Sequence, residues 1–162
     1  MLAYLRSGSI LNNNDVLRLV RTTFNLKDKQ IIAIFAQAET TVTPEQVQAW
    51  VANESAKGAK KLKDVELATF LNGFINQKRG KRDGVQPKPE ANLTNNMVFQ
   101  KLRIALNLKT EDILNIFELV GVELTKYELS AFFRKPDNKH YRPCPDEILQ
   151  DFLSGVEGQR LL

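Results

Sequence analysis

Four side chains that could bind a metal or act in catalysis lie within ten residues of one another: Asp137, His140, Cys144 and Asp146. Zinc sites usually need several Cys or His ligands, and the chain contains one of each. Cys144 precedes Pro145 at a predicted helix start, where the helix dipole can lower a thiol pKa, and His140 could act as its base. The alternative is a small buried cysteine beside a surface histidine. Because no phosphate loop, HExxH motif or serine elbow accompanies them, we predict no metal, no cofactor and no enzymatic activity.

A second group of candidates consists of Asn, Arg and Lys residues that recur at the same spacing in two parts of the chain. A helix N-terminus with free N–H groups and a nearby arginine can hold an anion. The alternative is helix capping together with a structural ion pair, for example between Arg103 and an acid of the next helix. The candidate anion- or partner-binding residues are Asn13, Asn14, Arg21, Lys27, Asn95, Asn96, Arg103 and Lys109.

Positive charge is concentrated in residues 57–88, which contain nine Lys or Arg against three Asp or Glu, whereas the whole chain has a net charge of +4. Such a segment can contact nucleic-acid phosphates without reading sequence, although a solvated loop and linker is the alternative. A helix-turn-helix contact is disfavoured, because the would-be recognition helix Pro44–Glu54 carries two acids and no base. The candidate nucleic-acid contacts are Lys60, Lys61, Arg79, Lys81 and Arg82.

A smaller basic group lies near the C-terminal end of the chain, at Arg134, Lys135 and Lys139. Acidic residues close by in the sequence, such as Asp137, offset its charge. We therefore expect this group to contribute less to a phosphate contact than the segment 57–88.

The elements that must position these residues are duplicated. When the sequence is shifted by 82 residues, 66 positions align without a gap and 19 are identical, where chance would give about four. Between the copies, a segment rich in Gly, Pro and charge reads as a linker. The predicted organisation is an N-terminal extension (1–12), a first repeat (13–78), a linker (79–92) and a second repeat (93–160).

Each repeat is predicted to form four short helices, because its apolar residues recur with helical spacing and no stretch alternates with period two. We predict N-caps at Asn12 and Thr94, left-handed C-caps at Asn25 and Asn107, and capping boxes that start at Thr43 and Thr125. The predicted fold class is therefore all-α, a tandem duplication of a four-helix unit.

A repeat of about 66 residues buries only a modest core, so we expect the two copies to pack against each other with approximate twofold symmetry. Gly73 and Gly155 occupy equivalent places inside the fourth helix of each repeat. Because a glycine inside a helix costs about 1 kcal/mol against alanine, close helix approach is the expected compensation. We place that approach at the interface between the repeats.

Several stretches taken together resemble the YehS-like family: Asn95–Ile113, Arg134–Asp137 and Cys144–Asp146, with Phe70–Phe74 and Lys78–Lys81 in the first repeat. The resemblance implies a small cytoplasmic bacterial protein built from two copies of a domain of unknown function. It supplies no reaction, ligand or catalytic residue. The first repeat departs from the pattern, since Ala52 and Leu62 stand where the second repeat has Arg134 and Cys144.

These observations predict a non-catalytic helical interaction module that binds a protein partner or a small anion. Sequence-independent nucleic-acid binding through residues 57–88 is the alternative. The longest apolar runs fall far short of the roughly 18 residues that a membrane span requires, and the single cysteine cannot form an internal disulfide. We expect a soluble, cytoplasmic protein without a membrane contact.

Overall fold

The computed structural model describes residues 11–160 of the chain. These residues form eight helices joined by loops, and they contain no strand. The first repeat contains α1 (Asn13–Phe24), α2 (Asp28–Gln37), α3 (Pro44–Val51) and α4 (Asp64–Arg79). The second contains α5 (Asn95–Leu106), α6 (Thr110–Leu119), α7 (Lys126–Phe132) and α8 (Asp146–Arg160). The predicted all-α fold with a duplicated unit is confirmed. The predicted N-terminal extension lies outside the described residues, except for Leu11 and Asn12.

The ends of equivalent helices are formed by the predicted caps. The Asn12 side chain accepts the N–H of Asp15 at 2.8 Å, and Thr94 caps α5 in the same manner. Asn25 and Asn107 end α1 and α5 with φ of 53° and 54°, the left-handed conformation that asparagine tolerates. None of the described helices has the length and hydropathy needed to cross a bilayer.

Each repeat buries its own cluster of aromatic rings. In the first repeat, Phe35, Phe70 and Phe74 are at most 1% exposed, and in the second repeat Phe99, Phe117 and Phe152 are fully buried. The two clusters belong to one continuous apolar core. Neither repeat therefore completes its core alone, as its small size predicts.

The repeats contact each other reciprocally, because α4 packs on α5 and α8 packs on α1. At one junction the Asp64 carboxylate accepts the Asn13 amide at 2.6 Å and the backbone N–H of Leu93, in the other repeat, at 2.8 Å. At the other junction Asp146 accepts the Asn95 amide at 2.6 Å and the N–H of Leu11 at 2.9 Å. Reciprocal contacts of this kind are those expected of two units related by an approximate twofold axis.

The helical glycines lie in a different contact from the one predicted. A Cβ on Gly73 would overlap the carbonyl oxygen of Ile34, and a Cβ on Gly155 would lie 2.5 Å from the carbonyl oxygen of Ile116. These carbonyls belong to α2 and α6, so the close approach is within each repeat and not between repeats. The expectation of a glycine-lined interface was wrong, because the face of the fourth helix that carries the glycine packs on the second helix of its own repeat.

Candidate functional site

The repeated asparagines are engaged inside the fold. The Asn96 amide donates to the carbonyl oxygens of Phe132 and Arg142 at 2.9 and 2.8 Å, and its oxygen accepts the N–H of Cys144 at 2.9 Å. Asn14 makes the equivalent three bonds in the first repeat. These amides fasten the loop between the third and fourth helices to the first helix. A structural role, the alternative to anion binding, therefore accounts for both Asn14 and Asn96.

The repeated arginines also bind the backbone, but among the described residues only Arg21 forms an ion pair. Arg21 donates from Nε to the Leu26 carbonyl at 3.2 Å and lies 3.5 Å from the carboxylate of Asp28. Arg103 donates to the Leu108 carbonyl at the same distance and stacks on the ring of Phe133, 4.6 Å from its centroid. The first arginine is therefore neutralised by its own repeat, whereas the second lies beside an aromatic ring.

The two repeated lysines occupy the residues immediately before the second helices. The backbone N–H of Lys27 donates to Gln30 at 2.7 Å, and that of Lys109 donates to Asp112 at 2.8 Å. Both lysine side chains are exposed. Their place in the sequence is explained by helix initiation, and their charges remain in solvent.

Cys144 is 5% exposed, and its environment disfavours the thiolate. Burial first, and then the nearby Asp146 carboxylate, raise the pKa of the thiol from 9.0 to about 12, against a smaller opposing effect of a backbone hydrogen bond. Because the thiolate is the reactive form, this position is unsuited to nucleophilic attack at neutral pH. His140 is exposed, and no group of three or more His, Cys, Asp or Glu residues within 11–160 is placed to hold a metal.

The raised pKa predicts how stability depends on pH. The unfolded thiol ionises near pH 9 and the folded thiol near 12, so its contribution to stability is complete below pH 9 and is lost as pH rises toward 12. By pH 10 we expect Cys144 to account for a loss of about 1 kcal/mol in the free energy of unfolding. Urea titrations of the wild type and Cys144→Ala from pH 8 to pH 10 measure it. Parallel pH profiles for the two proteins would contradict the prediction.

The five residues predicted to contact nucleic acid do not form one cluster. Lys60 and Lys61 precede α4, whereas Arg79, Lys81 and Arg82 lie at or beyond its other end, about 24 Å away for a helix of sixteen residues. Lys81 is paired with Glu39 at 3.1 Å. The structure therefore separates the predicted segment into two basic groups.

The second of these groups borders a groove where the two repeats meet. This inter-repeat groove, of about 680 Å³, lies between α4, the linker, α5 and the chain that follows α7. Its floor is largely apolar, with Ile75, Met97, Ile104 and Tyr141 among the lining side chains. The basic side chains that border it are Arg79, Arg82, Lys101, Arg134 and Lys135. One acidic residue, Glu90, is among the lining residues.

The linker forms a fixed wall of the inter-repeat groove. Lys101 donates to the Asn72 side chain at 2.7 Å and pairs with Glu90 of the linker at 3.0 Å. The Asn76 amide donates to Gln86 of the linker at 2.9 Å. These bonds connect both repeats to the intervening segment, so the groove is preformed rather than assembled from a loose loop.

Within residues 11–160, three residues of this basic border have no basic counterpart in the first repeat. At the positions of Arg134 and Lys135 the first repeat has Ala52 and Asn53, and at the position of Lys101 it has Leu19. Arg134 and Lys135 were predicted from the sequence to contribute less than the linker residues, yet they border the same groove as Arg79 and Arg82. The importance of Arg134 and Lys135 could have been predicted by comparing these positions between the two repeats.

Fold and groove together define the class: a duplicated all-α protein with a preformed basic groove at the junction of its repeats. The family described as "Protein of unknown function (DUF1456)" matches residues 13–80 and 95–160, and the chain belongs to this family. The chain is similar to "Uncharacterized protein YehS" of Escherichia coli (strain K12), with 37% identity over 149 residues that cover 91% of this chain and 96% of that protein. The predicted YehS-like membership is confirmed. No solved structure matches the chain.

Proposed function

We propose that the protein is a cytoplasmic, non-catalytic interaction module that binds an acidic segment of a partner protein in the inter-repeat groove. The observation that carries this proposal is that Lys101, Arg134 and Lys135 have no basic counterpart in the first repeat. A basic border required only for solubility would have no reason to concentrate on one side of a duplicated fold. Opposite charge on the partner would steer it to the groove and fix its orientation.

The floor of the groove favours a polypeptide over a nucleic acid. Ile104 is 43% exposed, and Ile75 and Met97 are partly exposed beside it. Aliphatic side chains bury apolar side chains of a partner well, whereas single-stranded bases are bound by stacking on open aromatic faces. Of the three aromatic residues that line the groove, Phe132 is 8% exposed and Phe133 has the Arg103 guanidinium against its ring, which leaves the partly exposed Tyr141 as the single ring available for stacking. The occupant best matched to this floor is an acidic segment with aliphatic anchors.

Sequence-independent nucleic-acid binding is the second candidate. Arg79 and Arg82 share one groove with Arg134 and Lys135, which gives a phosphate backbone several cations within a short distance. Binding of this kind would weaken steeply with salt and would not require the aliphatic floor.

A pull-down from a bacterial lysate with matched variants tests both candidates. In the test variant, Arg134→Ala and Lys135→Asn introduce the residues of the first repeat. In the control, Lys60→Gln and Lys61→Gln remove the same charge at the far end of α4. We expect the test variant to recover at least tenfold less of a nuclease-resistant protein partner than the wild type does. The control should recover as much as the wild type.

Two outcomes would contradict the first candidate. Equal recovery of the partner by both variants would show that the groove is not its binding site. Loss of all partners after nuclease digestion, with binding dependent on Arg134 and Lys135, would assign the groove to nucleic acid.

A further inference from the structure

A second cavity adjoins the basic border at the chain that follows α7. It has a volume of about 750 Å³ and is lined by Arg103, Thr110, Leu129, Ser130, Phe133, Arg134, Lys135, Asp137 and Asn138. Arg103 and Thr110 do not line the inter-repeat groove. Phe133, Arg134 and Lys135 line both cavities, whereas Arg103 and Thr110 line only this one, so a substitution at Thr110 tests it separately from the groove.

Comparison of the repeats shows why the Arg103 guanidinium is available. The equivalent arginine, Arg21, has the Asp28 carboxylate at 3.5 Å. In the second repeat the residue equivalent to Asp28 is Thr110, which carries no charge. Among the described residues Arg103 forms no ion pair, and its bonded partner is the Leu108 carbonyl at Nε. The terminal N–H groups that meet a carboxylate in the first repeat have none in the second.

The same guanidinium is held in place before any ligand arrives. Its Nε–H donates to the Leu108 carbonyl at 3.2 Å, and its Cζ atom lies 4.6 Å from the centroid of the Phe133 ring. A fixed arginine loses less conformational entropy when it binds an anion than a free one does. Thr110 is the first residue of α6, a helix of ten residues, so the positive end of that helix faces the same region.

We propose that this cavity binds a phosphate group. Arg103, Arg134 and Lys135 supply three cations there against the single carboxylate of Asp137, and all four residues line the cavity. A phosphate group carries a charge of about −1.5 to −2 at neutral pH and offers several acceptor oxygens, so it satisfies diverging cationic donors better than one carboxylate does. The Thr110 hydroxyl is a further donor, whereas the Ser130 hydroxyl already donates to the Tyr127 carbonyl.

A reciprocal exchange of one residue between the repeats tests the proposal. Thr110→Asp gives Arg103 the internal carboxylate that Arg21 has, and an acid in the first turn of a helix does not destabilise it. Asp28→Thr makes the opposite change in the first repeat and serves as the control. Binding of inorganic phosphate is followed by amide chemical shifts, with ionic strength held constant by sodium chloride.

We expect the wild type to bind inorganic phosphate with shifts centred on Arg103, Thr110 and the 133–135 segment. Thr110→Asp should weaken the affinity at least tenfold, and Asp28→Thr should leave it unchanged. Glycerol phosphate is titrated in parallel, and tighter binding than that of inorganic phosphate would assign the site to a phosphate ester. The proposal is overturned if the wild type shows no saturable shifts at these residues, or if Thr110→Asp binds as tightly as the wild type. Because Thr110 does not line the inter-repeat groove, neither result alters the test of partner binding.

Discussion

Gly155→Ala is expected to lower the free energy of unfolding by about 2–3 kcal/mol, and Gly73→Ala by at least as much. The new methyl group would meet the Ile116 carbonyl oxygen at 2.5 Å in the first case and overlap the Ile34 carbonyl oxygen in the second. Neither obstacle is the flexible end of a side chain, so a whole helix must shift. Urea denaturation followed by circular dichroism measures both losses.

Gly158 provides a control in the same helix as Gly155. A Cβ at Gly158 has no heavy atom within 4 Å, so Gly158→Ala should be neutral or should stabilise the protein by up to about 1 kcal/mol. If all three substitutions stabilised the protein, the close contact between the second and fourth helices of each repeat would be wrong.

Asn96→Ala is expected to cost about 3 kcal/mol of folding stability, because it leaves three backbone groups without their partner. Asn96 is 8% exposed, and its amide joins α5 to Phe132, Arg142 and Cys144 at the two ends of the loop after α7. Loss of the amide should also loosen Arg134 and Lys135, which lie in that loop. Thermal unfolding measures the loss of stability, and hydrogen exchange of the loop amides measures the loosening.

Gln100→Ala is the matched control, since Gln100 is exposed on the same helix. It should change stability by less than about 0.5 kcal/mol. If the Asn96→Ala protein were as stable as this control, the structural role of Asn96 would be contradicted. Asn96 would then again be a candidate for ligand binding.

Local features were predictable from the sequence because their physical causes lie within a few residues of the chain. The Thr43 capping box and the left-handed Asn25 are present as predicted, since each depends on neighbours three or four positions away. The duplication was equally accessible, because it is a property of the sequence itself. The partner of Gly73 was not, because glycine signals a close approach without showing which helix approaches.

The candidate site could not be located from the sequence either, because the residues that form it are far apart along the chain. By itself the sequence determined an all-α duplication with its helix ends, and it placed the excess of basic over acidic residues in 57–88. Folding separated Lys60 from Arg79 along α4 and brought Arg79 to the same groove as Arg134, 55 residues later in the chain. Charge is additive along a sequence, whereas a binding surface depends on distances in space, and those distances were decided by the packing of α4 on α5.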